Sequence, residues 1–216
     1  MQRLTAVLAL GSGLLLAGCA TTGEVASLRT QLQQEQARCA SAASQDVTRI
    51  DSLTATNAKL TAGLAEELKK GQVSLDLLND HLRLSVVQEL LFDSGSADLR
   101  ESGTALLQKV VEALKGTTGR LVTIEGHTDD VRIGPSMVDR YPTNWELSTA
   151  RATTVVRSLQ ESGLNPRELG ASGFGEFRPV ASNATEDGRQ KNRRIDVIVT
   201  AAPVAELPRA PITSAN

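Results

Sequence analysis

Aromatic residues are nearly absent from this chain of 216 residues, which has one Trp, one Tyr and three Phe. Base-stacking platforms need several exposed rings, so the scarcity argues against nucleic acid as a partner. Charge argues the same way: 23 Lys and Arg against 25 Asp and Glu leave a formal net charge of −2, with no bulk attraction toward phosphate backbones. Cysteine is scarce too, with only Cys19 and Cys39, too few for a cysteine-cluster zinc site. The two histidines, His81 and His127, lie in different segments and form no His-x-x-x-His pair of the zinc-protease kind. No serine sits in a nucleophile elbow. The sequence therefore predicts no metal, no cofactor and no enzymatic activity.

The amino terminus carries a processing signal, residues 1–18. Arg3 supplies a positive start, and "LTAVLALGSGLLLA" is apolar but too short and glycine-interrupted for a comfortable membrane span. It ends in "LAGC", Leu16 to Cys19, small residues in front of a cysteine, and so resembles the bacterial lipobox. In that pattern the segment before the cysteine is cleaved, and the Cys19 thiol and the new amino terminus are acylated. Each buried methylene then contributes ~0.8 kcal/mol of anchoring. The alternative is ordinary cleavage with Cys19 incidental. An aspartate after the cysteine tends to retain such proteins at the inner membrane; Ala20 favours the outer one, with the chain facing the periplasm. Once Cys19 is acylated, Cys39 is the only thiol and no intramolecular disulfide can form.

Residues 19–82 read as the lipidated start and a helical spacer. Between 24 and 80 there is no proline. Val25, Leu28, Leu32, Cys39 and Ala42, then Ile50, Leu53, Leu60 and Leu64, keep the 3–4 spacing of a coiled-coil seam. Glu35 falls on a seam position and Asn57 on the second run, so the pattern is imperfect. A continuous helix over this stretch would reach roughly 80 Å at its 1.5 Å rise per residue. Cys39 is read as a small seam residue, with an inter-chain disulfide across a parallel dimer as the alternative.

Residues 83–200 have the pattern of a globular α/β domain. Strands are predicted at 83–92, 119–126, 169–176 and 193–200, and helices over "SADLRESGTALLQKVVEALK" and 144–162. "TNWE" at the second helix start is a capping box built on Thr143 and Glu146. Residues 201–216 carry three prolines without periodicity and read as a disordered tail.

The informative stretch is "IEGHTDDVRI", residues 124–133. Leu147, Arg151 and Val155 lie four apart, so Arg151 sits along the edge of an apolar stripe. Either its guanidinium snorkels to water, or it faces a cleft with Thr128, Asp129 and Asn144 at the end of the second strand. The second arrangement suits a zwitterion, with Asp129 for an ammonium and Arg151 for a carboxylate. His127 is read as a hydrogen-bonded structural residue and Asp130 as a solvated neighbour; Arg194 and Asp196 have weaker claims on a ligand, which a salt-bridged surface strand explains as well. Phe92, Phe174 and Phe177 read as core or rim packing.

Five blocks, "FDSGSADL", "IEGHTDD", "NWELSTARA", "GFGEFRPVASN" and "GRQKNRRIDVIV", follow the order and spacing of the OmpA/MotB-like peptidoglycan-binding domain, which residues 83–200 resemble. The resemblance implies an α/β βαβαββ two-layer sandwich and a grip on diaminopimelate in peptidoglycan stem peptides. By the same resemblance Asp129 and Arg151 hold the ligand, Asn144 and Thr128 line the pocket, and Asp93 and Arg193 contribute to its rim. The long loop "DVRIGPSMVDRYPTNW" is similar to the motility-stator branch. Stator subunits carry a transmembrane helix with a proton-conducting aspartate, however, and the apolar leader here has no acidic residue. The expected function is a lipid-anchored link between outer membrane and cell wall. Two alternatives stay open: an envelope adaptor whose residues 24–80 form a homodimer or dock a protein partner, and, more remotely, a wall hydrolase built on "GHTDD".

Overall fold

The structure is a computed structural model that describes residues 17–78, 81–93, 95–116 and 119–201. The leader, the tail from 202 and the Cys19 side chain lie outside the described residues. The chain divides between Thr48 and Arg49 into two units. The first holds most of helix α1 (Ala17–Gly63), whose proline-free composition supports an unbroken helix. Val25, Leu28 and Leu32 on its seam are exposed, as is the free Cys39. Among the described residues no helix is long and apolar enough to cross a membrane.

The second unit begins at Arg49, well before the predicted boundary at 83. The last turns of α1 belong to it, because Leu53 and Leu60, with Leu64 just beyond the helix, are buried in its core. Three of the four residues of the second seam run are thus covered by the protein's own domain, while Ile50 stays exposed. A short helix α2 (Ala65–Lys69) and a strand β1 (Val73–Leu77) follow. The strand was hidden in the expected spacer; its alternating "VSLDL" puts Val73, Leu75 and Leu77 opposite Val86, Leu84 and Leu82 of β2 (His81–Val87).

Strand β2 ends at Val87 rather than at 92, and a one-turn helix α3 (Gln88–Leu91) takes over. A continued strand would send alternate members of the Leu90–Leu91–Phe92 run to the polar face; the turn instead buries Leu91 and Phe92. It also delivers Gln88 and Glu89 to the site described below. Then come α4 (Glu101–Leu114), β3 (Arg120–His127), α5 (Asn144–Glu161), β4 (Leu169–Gly173), α6 (Glu186–Asn192) and β5 (Arg194–Ala201). The fold is α/β. The predicted βαβαββ order survives, with β1 added before it and the short helices α3 and α6 inserted.

The sheet runs β1-β2-β5-β3-β4, antiparallel except for the β3–β4 pair, which α5 connects. One face carries Leu82, Leu84, Val86, Val122, Ile124, Ile195, Val197 and Val199, which share one core with α4, α5 and the end of α1. The opposite face is polar, with Arg83, Ser85, Glu125, His127, Arg194 and Asp196 in register across β2, β5 and β3. This is the two-layer arrangement in which an α/β sheet buries its apolar side under helices.

Candidate functional site

The site forms where β3 and β4 end against the first turns of α5. Gly126 and Gly173 pair across these strands. A Cβ on Gly126 would collide with the Ser148 carbonyl oxygen, and one on Gly173 with the Thr149 hydroxyl. Only glycine lets the helix lie so close, and that closeness brings Asn144 and Arg151 beside the loop that follows β3. Thr143 caps the helix: its hydroxyl accepts from the Trp145 amide at 3.2 Å, and Glu146 accepts from the Thr143 amide at 2.8 Å.

A cavity of about 820 Å³ opens there, and all six predicted site residues line it: Asp93, Thr128, Asp129, Asn144, Arg151 and Arg193. Arg151 does not snorkel; it is 2% exposed. Its Nε donates to the Ser96 carbonyl at 2.9 Å, its Nη1 to the Gln88 side chain, and its guanidinium lies 5.5 Å from the Phe92 ring centre. Burial pushes its pKa down to about 10, with Tyr141, Glu89 and Asp129 opposing the shift, so it stays charged at neutral pH. Asp129 is 6% exposed and accepts from the Val131 amide at 3.2 Å and from Arg193 Nη1 at 2.7 Å.

Arg193 is more central than the rim position expected of it. Besides Asp129 it reaches Glu89 at 3.0 Å and Glu186 at 2.9 Å. Burial works against its charge, but hydrogen bonds to Asp129, Glu186 and Glu89 outweigh this and hold its pKa above the ordinary arginine value. Asn144 donates to the carbonyls of Asp129 at 3.3 Å and Val131 at 3.1 Å, which ties the loop to the helix start. Thr128 donates its hydroxyl to the Asp129 carbonyl, and its amide bonds the Gly175 carbonyl. Asp93 is exposed at the mouth and pairs with Arg100 at 3.1 Å. Sequence reasoning missed Gln88, Glu89 and Glu186, the first two because they sit inside an apolar run that reads as strand. The long loop after Asp130 supplies a wall of the cavity through Val131, Ile133 and Met137.

The remaining residues of the motif go elsewhere. His127 is not hydrogen-bonded as predicted: it is 2% exposed, both ring nitrogens lack a partner, and it stacks on Phe174 at 5.5 Å. Its Nε2 lies 3.5 Å from Asp196 and 3.8 Å from Glu125, so three metal-type donors do converge, contrary to expectation. The field there is positive, however. Arg194 forks onto both Asp196 oxygens at 3.1 and 3.2 Å, and burial together with Arg194, Arg178 and Arg83 lowers the His127 pKa to about 4 despite Asp196. A cation there meets the same burial and the same neighbouring guanidiniums, offset in part by Asp196. Arg194 and Asp196 are salt-bridged as expected, but they are buried rather than on the surface. Phe92 belongs to the core, as expected, and Phe174 lies under the Arg178 guanidinium at 3.5 Å.

Residues 91–193 match the OmpA family. The chain is 34% identical over 136 residues to Motility protein B of Bacillus subtilis, a match covering 62% of this chain and 51% of that protein. It is 29% identical over 139 residues to the probable lipoprotein YiaD of Escherichia coli, covering 64% and 60%. It thus spans half to three-fifths of the length of these relatives. A solved structure of the cell wall anchor of the T6SS from Pseudomonas aeruginosa is 34% identical, with a TM-score of 0.60 over 66% of this chain and 96% of that one. The order of the five blocks, the α/β sandwich and these similarities have one common explanation: the chain belongs to the OmpA family.

Proposed function

We propose that the protein is a non-enzymatic tether that holds the bacterial outer membrane to the cell wall, binding diaminopimelate of peptidoglycan stem peptides without a covalent bond. The observation that carries this reading is the single cavity lined by both Asp129 and Arg151. Diaminopimelate presents an amine and a carboxylate on one carbon, and an acid and a guanidinium lining one hollow match that pair of charges. Charge-assisted hydrogen bonds of this kind contribute about 1.5–3 kcal/mol each. Asn144 and Thr128 hold the Asp129 loop, Arg193 orients its carboxylate, and Asp93 guards the mouth. Similarity to a cell wall anchor and to a probable lipoprotein supports the same reading at both ends of the chain. Acylated Cys19 supplies the membrane end, with the domain in the periplasm. Sedimentation with purified sacculi tests the wall end. The wild-type protein is expected to co-sediment, and Asp129→Asn and Arg151→Lys to stay in solution; if both variants sediment fully, the assignment is wrong.

A second reading rests on the seam of Val25, Leu28 and Leu32, whose side chains are exposed. It makes the helical segment an adaptor for a homodimer or an envelope protein partner. Analytical ultracentrifugation of residues 20–48 separates the two forms: a helical dimer supports self-association, and an unfolded monomer supports partner-induced order.

A further inference from the structure

One side chain of the loop after β3 is fitted more closely than a passive cavity wall requires. Met137 lines the cavity, and it packs against a small apolar cluster of Ala97, Tyr141 and Leu147 that stands apart from the main core. Its backbone is pinned in a turn. The Met137 amide donates to the Gly134 carbonyl at 3.0 Å, and the Met137 carbonyl accepts from the amides of Arg140 at 3.0 Å and Tyr141 at 2.8 Å. The sulfur rests on Gly95. A Cβ there would collide with it, and Gly95 is also held at φ 75°, a conformation that side chains rarely adopt.

The next residue gives this contact a consequence. The Ser96 carbonyl accepts from Arg151 Nε at 2.9 Å. Met137, Gly95, Ser96 and Arg151 thus form a chain of contacts from the loop to the buried guanidinium. There is no slack at the sulfur, since the space on its Gly95 side does not admit one more atom. With the predicted leader removed, Met137 is also the only thioether in the chain: the sequence holds two methionines, and the other is Met1. It is half-buried beside open volume, within reach of an oxidant as small as hydrogen peroxide.

We propose that Met137 is an oxidation site whose sulfoxide loosens the Arg151 side of the cavity. Hydrogen peroxide transfers one oxygen atom to the thioether. Its O–O bond breaks, an S–O bond forms, water leaves, and the two electrons given up by sulfur reduce the peroxide. A flexible apolar group becomes a polar, chiral one. Against the apolar cluster the new oxygen loses hydration, and against Gly95 it finds no space. Gly95 and Ser96 give way, and the Ser96 carbonyl moves off Arg151 Nε. A methionine sulfoxide reductase restores the thioether, so the change is reversible. Control of wall binding by this site rests on the reading of the cavity as the diaminopimelate site; the movement at Ser96 does not.

The test treats the full chain with dilute hydrogen peroxide. Peptide mass spectrometry locates the oxygen, NMR follows hydrogen exchange at Arg151 Nε, and calorimetry measures binding of free diaminopimelate. The expected result is a one-oxygen gain on Met137, faster exchange at Arg151 Nε, and binding weakened roughly tenfold, the loss of one hydrogen bond from a charged donor. Methionine sulfoxide reductase should reverse all three. Met137→Leu removes the sulfur, and its exchange rate and affinity should be the same before and after peroxide. A Met137 that stays reduced while free methionine in the same solution is oxidised overturns the proposal. So does a sulfoxide that leaves Arg151 exchange unchanged or, in a protein that binds diaminopimelate, leaves that affinity unchanged. Equal peroxide sensitivity in Met137→Leu places the effect elsewhere and overturns it too. If exchange responds as expected but the untreated protein binds no diaminopimelate, the oxidation site stands and the clamp falls.

Discussion

One short stretch, Glu125 to Asp129, feeds two clusters of buried charge with opposite properties. Strand alternation sends Glu125 and His127 to the polar sheet face, where Asp196 is already claimed by Arg194. One step past the strand, Thr128 and Asp129 turn into a cavity large enough for a ligand, which Arg151 also lines with its guanidinium bonded to a carbonyl and an amide oxygen. Both clusters contain acids and bases in close quarters. Each acid has its own arginine, Arg194 on Asp196 and Arg193 on Asp129; what separates the clusters is space, since the second lines an open cavity that also holds Arg151. Buried charge alone does not mark a binding site; buried charge facing unoccupied volume does.

That contrast can be broken most forcefully at Arg151. Arg151→Ala leaves the Ser96 carbonyl and the Gln88 side chain without their donor inside the protein, at about 1–3 kcal/mol for each unsatisfied group. It is expected to lower the denaturation midpoint and abolish sacculus binding together. Arg151→Lys separates the two effects, because it keeps the charge but not the fork.

Asp129→Asn should be cleaner. Arg193 retains Glu89 and Glu186 as partners, so stability should hold while affinity for free diaminopimelate falls roughly 10–100-fold, the loss of one charge-assisted contact. Adding Arg151→Lys is expected to cost little more than either change alone, since both groups hold one ligand.

The smallest effect belongs to the closed cluster. The His127 pKa is about 4 in the folded protein, chiefly through burial and then Arg194, and near 6.5 when unfolded. As pH falls the unfolded chain takes up that proton first, so stability should decline from about pH 6.5 to about pH 4, with no contribution from this group above that window. His127→Gln is expected to remove this part of the pH slope and leave wall binding intact. A variant that loses wall binding at neutral pH while remaining folded would erase the distinction between the clusters.

Most residues of the candidate cavity were legible because they lie in short blocks at element ends, and the family resemblance added Asp93 and Arg193 to those that spacing suggested. Helical spacing put Arg151 on the edge of an apolar stripe and left open whether it faced water or a cleft; the resemblance joined it to Asp129, just past an alternating strand. Glu89 and Glu186 could not be read in the same way. Glu89 acquires its role only because Leu90–Leu91–Phe92 turn into α3, and Glu186 only because α6 returns beside the cavity. The helical seam shows the limit most clearly. Leu28 and Leu60 share one spacing pattern, yet Leu28 is 57% exposed and Leu60 1% exposed. Periodicity reports that a helix has an apolar face; it does not report which surface covers it. The start of the second unit at Arg49 was hidden for the same reason, since a five-residue strand after a long helix is too short to announce it.

Calorimetric titration of the purified protein with free diaminopimelate tests the central claim most directly. The expected result is binding at one site per chain, lost or severely weakened in both Asp129→Asn and Arg151→Lys while each variant melts as a folded protein. No detectable binding by the wild type, or binding of equal strength in both variants, would contradict it.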